Sequence, residues 1–434
     1  MKIAVVGSGY VGLTAGICFA ESGNDVICVD VDREKVDRLN RGELTLYEPG
    51  LGELLVNNLQ AQRVHFTSDL AEAVRNSSIV FIAVGTPQKD NGQPDIQVIE
   101  DVARSIVRTM DAYRIIVIKS TVPVGTTEQL ANKLAELTEL PFDLVNNPEF
   151  LKEGYAVDDF SRPDRVIIGT TNPQVAAVME ELYAPFVRNG KPIIVMDPAS
   201  SEMTKYAANA LLSTKISFIN ELANLCEKLG ADIDNVRRGM CSDSRIGYQF
   251  LYPGLGFGGS CFPKDIQALT RICDSVGYPG WLLKAVKQVN DYQKLSLQRK
   301  ITAHFGDDLT GRQFAVWGIS FKPRTDDVRE SPALGLIADL LALGAKVNIH
   351  DTQALPNAQK HFGDARIGYC RHMYDALNQA DGLCINTEWN EYRNPDYDKM
   401  LHLMRQPIVF DGRNVYEPAK MRARGFTYYA IGKK

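Results

Sequence analysis

Short β-branched runs alternate with helical stretches along most of this 434-residue chain, and that alternation narrows its fold more than any other feature. KIAVVG (2–7), DVICVD (25–30), SIVFIAVG (78–85) and RIIVIKST (114–121) are almost continuously apolar. Strands of this kind are buried on both faces, as in a parallel sheet covered by helices from either side. DLVNNPEF (143–150), RVIIGT (165–170) and PIIVMD (192–197) extend the pattern, so a doubly wound α/β domain is expected over residues 1–197. The alternation returns with QFAVWGI from 313, a helical stretch over 331–343, KVNIHD (346–351), DGLCINT (381–387) and PIVFDG (407–412). A second Rossmann-like unit over 311–434 follows.

The region between them, 198–310, reads as helical. From Ser200 to Leu229 there is no proline, and Leu211, Leu212, Ile216, Ile219, Leu222 and Leu225 recur at helical spacing before a stop at Gly230. A helix of about 28 residues is longer than globular domains usually need, so it is expected to bridge two domains or to line a dimer interface.

Composition removes several classes of function. Lys and Arg number 48 against 53 Asp and Glu, a net charge of −5, which lacks the basic excess of nucleic-acid and anionic-membrane binders. Residues 3–20 carry no charge, but Gly7, Gly9, Gly12 and Gly16 interrupt the run. It reads as strand, turn and helix rather than as an export signal, so no membrane association and a cytoplasmic location are expected. The eight cysteines include no CxxC pair and no Cys/His cluster at zinc spacing, so neither a disulfide framework nor a metal is expected.

Gly7-Ser8-Gly9-Tyr10-Val11-Gly12 ends the first expected strand and opens a helix. In that context Gly7 permits the tight turn, Gly9 lets backbone approach a pyrophosphate, and Gly12 lets helix and strand pack closely. Asp30 ends the second strand, where a carboxylate accepts from ribose hydroxyls and repels a 2′-phosphate, which favours NAD over NADP. Cys261 lies in Gly258-Gly259-Ser260-Cys261-Phe262-Pro263-Lys264-Asp265, a crowded loop near a positive charge and the best setting among the eight cysteines for a nucleophilic thiolate. Lys205 and Asn209 are four apart on the long helix and could stabilise an oxyanion; a solvated helix face has the same spacing. Glu149 and Glu153 are also four apart, and a surface carboxylate pair would look no different.

Together, GSGYVG, STVPVGTT (120–127), NPEFLKEG (147–154), Lys205 with Asn209, PGLGFGGSCFPKD (253–265) and FKP (321–323) closely resemble the UDP-glucose/GDP-mannose dehydrogenase family, from residue 1 to about 420. The resemblance implies two Rossmann-like domains joined by a long central helix at a homodimer interface. It implies a two-step, NAD-dependent oxidation of a sugar-nucleotide primary alcohol to an acid, through thiohemiacetal and thioester on Cys261. By motif position, Lys205 and Asn209 would stabilise the oxyanion, Asp265 and Thr121 would assist proton transfer, and Glu149 or Glu153 would help the hydrolytic water. Val11, Lys35, Thr86, Thr121, Glu153, Lys264 and Arg329 would join the glycines and Asp30 around NAD. Glu149, Phe150, Leu151, Lys152, Glu153, Lys205, Asn209, Phe250, Leu251, Tyr252, Pro253, Gly254, Gly258 and Lys322 would hold the sugar nucleotide.

UDP-glucose is the expected substrate. Family members acting on N-acetylated UDP-sugars typically have histidine before the nucleophile, where this chain has Ser260, and residues 245–257 look like the UDP-glucose branch. GDP-mannose or another nucleotide sugar of the family remains the alternative; a single-oxidation alcohol dehydrogenase and a non-catalytic nucleotide sensor are the readings from other classes.

Overall fold

A computed structural model describes residues 1–87, 94–188 and 190–433. The chain forms two compact units, Met1–Ala208 and Asn209 onward.

The first unit is built on β1 (Lys2–Val6), β2 (Asp25–Val29), β3 (Val64–Thr67), β4 (Ile79–Ile82), β5 (Arg114–Ile118), β6 (Phe142–Asn146), β7 (Val166–Gly169) and β8 (Ile193–Met196). Their order is β3-β2-β1-β4-β5-β6-β7-β8, so strand order reverses between β1 and β4. Ligands of doubly wound sheets bind beside the carboxyl ends of the strands at such a reversal. β4 and β5 are buried at every position, which is why their sequences are apolar without alternation. The helix Tyr10–Glu21 is buried from Gly12 to Ala20, because the sheet covers one side and the helices Leu51–Gln60 and Ala156–Ser161 the other.

The expected parallel sheet of the first unit has one antiparallel pairing. β7 runs antiparallel to β6, through Asn146 and Gly169, although β8 is again parallel to β7. A parallel return needs a crossover that carries the chain back along the whole strand. The only helix between β6 and β7 is Ala156–Ser161, about 9 Å long at 1.5 Å per residue. That is too short for the crossover, and the chain re-enters the sheet from the end it left.

The second unit carries β9 (Gln313–Trp317), β10 (Lys346–His350), β11 (Ile367–Tyr369), β12 (Gly382–Ile385), β13 (Ile408–Asp411) and β14 (Thr427–Tyr429) in the order β11-β10-β9-β12-β13-β14. All five pairings are parallel. β3, β11 and β14 are edge strands of three or four residues with polar positions, too short to stand out in the sequence.

The long helix is Pro198–Leu229, starting two residues before the expected Ser200. Proline suits a first helical turn, and the Asp197 carboxylate accepts the Ser200 N–H at 2.9 Å to cap it. The helices Ile233–Cys241, Phe262–Ser275, Trp281–Lys294 and Ser296–Phe305 follow before β9. Among the described residues no helix is long and apolar enough to cross a membrane.

Candidate active site

The first unit presents a dinucleotide turn where β1 meets its helix. Gly7 has φ +99°, and its N–H bonds to Val29 O at 2.8 Å. A Cβ on Gly12 would lie 1.8 Å from Gly7 O, so only glycine lets helix and turn meet. A Cβ on Gly9 would meet nothing within 4 Å, which leaves the turn open on that side. The Asp30 carboxylate accepts from the Ser8 N–H at 3.0 Å, the Asp32 N–H at 3.1 Å and the Lys35 ammonium at 2.9 Å. Burial would raise its pKa, but these donors and the Lys35 charge outweigh it and hold the group below the usual carboxylate range. The Ser8 hydroxyl is buried without a hydrogen-bond partner among the described residues. An open glycine face, an orphaned hydroxyl and a carboxylate at the end of the adjacent strand, beside the sheet reversal, fit a dinucleotide. Val11 lies half-buried on the first helical turn, and Thr86 is half-buried beyond β4.

The loop after β6 carries the NPEFLKEG residues. Glu149 and Lys205, both buried, form an ion pair at 2.9 Å, and Lys205 also donates to Glu149 O at 2.6 Å. Burial pushes the Glu149 carboxyl up; Lys205, the Leu151 N–H at 2.6 Å and Lys119 overcome it, so the group is held below the usual range. The Arg165 guanidinium stacks on the Phe150 ring at 3.6 Å. Lys152 turns to Asp159 at 2.9 Å, and Glu153 is half-buried.

Three groups that sequence reasoning missed fix this neighbourhood. Glu48 accepts the N–H groups of Gly154 at 2.7 Å and Ala156 at 2.8 Å while Tyr10 donates its hydroxyl to the same carboxylate, tying the NPEFLKEG loop to the dinucleotide helix. Glu202, on the first turns of the long helix, accepts from Gly125 N–H at 2.5 Å, Thr127 N–H at 2.8 Å and Thr127 Oγ1 at 2.6 Å. It thereby caps the helix Thr126–Ala135 and holds the STVPVG loop that contains Thr121. Lys119, immediately before that loop, is buried on Asn147 Oδ1 at 3.0 Å. Each of these partners lies far away in sequence, so no local motif announces them.

The second unit brings Cys261, Lys264, Asp265 and Asn209 together. Cys261 is the N-cap of the helix Phe262–Ser275 and lies half-buried, its Sγ 3.6 Å from Ser260 Oγ. One turn on, buried Asp265 accepts from Asn209 Nδ2 at 2.6 Å and pairs with Lys264 at 3.0 Å. A thiolate at a helix N-terminus gains from the unpaired N–H groups and the helix dipole. By contrast, burial alone pushes the Cys28 thiol up to about 12 and dominates the rise of Cys18 to about 12, which leaves both inert.

The glycines before Cys261 are demanded by packing: a Cβ on Gly258 would lie 2.3 Å from Glu330 O, and one on Gly259, at φ +80°, 2.8 Å from the Phe321 ring. Phe250 adopts φ +63°, Leu251 and Pro253 are buried, and Tyr252 is exposed beneath Arg237 at 3.9 Å. Gly254 is fixed through its N–H to Asn220 Oδ1 at 2.8 Å and its carbonyl to Gln293 Nε2 at 2.6 Å. Lys322 is half-buried with its ammonium 5.4 Å from the Phe321 ring, while exposed Arg329 pairs with Asp327 at 2.8 Å. Arg413, which the sequence reading passed over, donates to Asn386 O at 2.6 Å and Phe321 O at 3.0 Å.

Known proteins match along nearly the whole chain. The profile of the UDP-glucose/GDP-mannose dehydrogenase family matches through its NAD binding domain at residues 1–187, its central domain at 199–292 and its UDP binding domain at 315–418. A UDP-glucose 6-dehydrogenase of Pseudomonas aeruginosa is 46% identical over 442 residues, covering 100% of this chain and 98% of that protein. The UDP-glucose 6-dehydrogenase TuaD of Bacillus subtilis is 44% identical, covering 100% and 93%. The solved structure of a UDP-glucose dehydrogenase from Pyrobaculum islandicum superimposes with a TM-score of 0.92 at 38% identity, covering 100% of this chain and 98% of that one. With an NAD turn in one unit, a capped cysteine in the other and matches to all three regions, this chain belongs to the UDP-glucose/GDP-mannose dehydrogenase family.

Proposed function

We propose that this dehydrogenase oxidises UDP-glucose to UDP-glucuronate in two steps, with Cys261 as covalent nucleophile. The observation that carries the reading is Cys261 at a helix N-terminus, one turn from the Asn209–Asp265–Lys264 chain. When bound, NAD supplies the oxidant, one equivalent for each two-electron step and two per turnover.

The residues divide the remaining work. Gly7, Gly9, Gly12 and Val11 cradle the dinucleotide phosphates, Asp30 with Lys35 takes the ribose, and Thr86, Thr121, Glu153, Lys264 and Arg329 complete its surroundings. Lys205 and Asn209 stabilise the alkoxide and oxyanion that develop at C6. The Cys261 thiolate adds to the C6 aldehyde, forming a C–S bond, and the oxyanion takes a proton to give a thiohemiacetal. That carbon still bears the hydrogen that the second oxidation removes, which leaves a thioester. Water then adds to the thioester carbonyl and the C–S bond breaks, returning the thiolate and releasing the carboxylate. Asp265 and Thr121 move the protons through an ordered water, and Glu149 or Glu153 orients the hydrolytic water. Phe150, Leu151, Lys152, residues 250–254, Gly258 and Lys322 enclose the sugar nucleotide.

Function is apportioned along the chain as NAD binding in 1–197, nucleophile and long helix in 198–310, and UDP-sugar binding in 311–434. The long helix leaves Leu211, Phe218, Leu225 and Leu229 exposed at near-heptad spacing, with Leu229 74% exposed, which supports a homodimer; the cytoplasm is its proposed location. Light scattering on the purified protein tests the assembly. The reaction is tested by incubating enzyme with NAD and limiting UDP-glucose: two NADH per sugar are expected. One would indicate a simple alcohol dehydrogenase, none a sensor, and a higher kcat/KM for GDP-mannose would move the substrate assignment.

A further inference from the structure

Lys119 is a fully buried ammonium that the proposed chemistry does not use. It follows β5 directly and precedes the Ser120-Thr121 pair. Its Nζ donates to Asn147 Oδ1 at 3.0 Å and the Tyr183 hydroxyl at 3.2 Å, both neutral groups, and stands 5.8 Å from the Phe160 ring and 5.7 Å from the Tyr183 ring. Among the described residues no carboxylate forms an ion pair with it. A buried ammonium without an ion-pair partner is costly.

The charged neighbours that feel Lys119 are Glu149, which favours its ammonium form, and Lys205, which opposes it. Tyr183 is the other titratable group in contact, and Arg165 acts on the same region through Phe150. Lys119 is bonded to Asn147, two residues before Glu149, while Lys205 pairs with Glu149 directly, so two ammonium groups act on one buried carboxylate and the cluster carries an excess positive charge.

We propose that Lys119 is a positioning residue for the oxidation: its ammonium keeps Glu149 ionised, and ionised Glu149 in turn fixes Lys205 for the developing oxyanion. Nothing in the ion pair alone guarantees this. A carboxyl so deeply buried tends to take up a proton and release its partner, and the second cation works against that. Burial pulls the Lys119 ammonium down to about 8, with Lys205 adding to the fall and Glu149 resisting it. Lys119 is therefore charged through the neutral range and becomes neutral at mildly alkaline pH.

The inference rests on the proposed reaction, and its test has one arm that needs no turnover. Lys119→Met removes the charge and keeps the bulk; Lys119→Arg keeps the charge. In pH profiles of kcat/KM for UDP-glucose, the acid limb of Lys119→Met should move up by about one pH unit, and that of Lys119→Arg should stay at the wild-type position even if kcat falls. A merely structural role would lower the plateau of both variants and leave the limbs in place, and that result overturns the proposal.

The second arm is unfolding by urea between pH 7 and 10. The folded-state pKa of Lys119 lies below that of an unfolded lysine, so across that window the unfolded chain binds more protons. The wild type should therefore gain stability relative to Lys119→Met as pH rises. Parallel curves would show that no buried ammonium titrates there and would also overturn the proposal. A wild type inactive on UDP-glucose but with diverging curves would instead fault the substrate assignment.

Discussion

The two α/β units meet the same problem at the same point and solve it differently. In each, a strand ends in a glycine at positive φ whose N–H bonds the end of the neighbouring strand: Gly7 at +99° to Val29 O, and Gly318 at +88° to His350 O. Each neighbouring strand is then followed by an aspartate. Asp30 keeps some exposure and accepts from two backbone N–H groups and a lysine. Asp351 is 3% exposed. One of its oxygens accepts Ile319 N–H at 2.6 Å, Ser320 N–H at 3.0 Å, Ser320 Oγ at 3.1 Å and Trp389 Nε1 at 3.3 Å, and the other takes the N–H groups of Gln353 and Ala354 at 2.9 Å. A carboxylate so fully occupied has no capacity for a ribose. The second unit has turned the ligand-binding aspartate of this architecture into an internal brace, and its turn lacks the later glycines that let a pyrophosphate approach.

The largest expected effect separates the nucleophile from the cofactor turn. Cys261→Ser should lower acid formation by about a thousandfold or more, because a serine hydroxyl is barely ionised near neutral pH. NAD affinity, followed by fluorescence titration, should stay within about twofold. Uronate formed at a near-normal rate would remove Cys261 from the nucleophile role.

The aspartates come next and should fail in opposite ways. Asp351→Ala strands several buried donors and should cost about 3 kcal/mol or more of stability, seen as a lower urea midpoint for the second unit, with NAD affinity unaltered. Asp30→Ala should barely move stability yet weaken NAD by about tenfold and erase a preference for NAD over NADP that should itself be at least about tenfold. Equal kcat/KM for the two cofactors in the wild type would break this half of the comparison.

The smallest effect is one of pH. Asp30 is held below the usual carboxylate range, so its contribution is complete above the ordinary aspartate pKa and is lost only as pH falls through the lower folded value. NAD affinity of the wild type should be flat from about pH 8 to 5. A decline beginning near pH 6 would show that another group governs the ribose contact.

Much of this site could be read from the chain, and the misses have a common origin. The turn at 7–12 and the run at 258–265 are local, and glycine is demanded there by backbone geometry or by contacts closer than any side chain permits. The reversal at β7 was missed because strand direction depends on the span of the connection, not on strand composition. Glu48, Lys119 and Glu202 were missed for a related reason. Each works through partners 28 to 108 residues away, and a lone Glu or Lys in a polar loop or helix looks like solvated surface until the fold buries it.

The two strand–helix alternations, the glycine turn followed by Asp30 and the crowded loop of Cys261 are legible in the chain alone, because periodicity, φ > 0 and close approach are written in neighbouring residues. Which carboxylates are available and which are occupied depends on how the chain folds. Burial sets the cost of a charge, and the partners that offset it arrive from distant segments. Hence Asp30 and Asp351, alike in the sequence, end as a partly exposed carboxylate and a buried brace, and Glu149 is buried against Lys205 rather than on a surface.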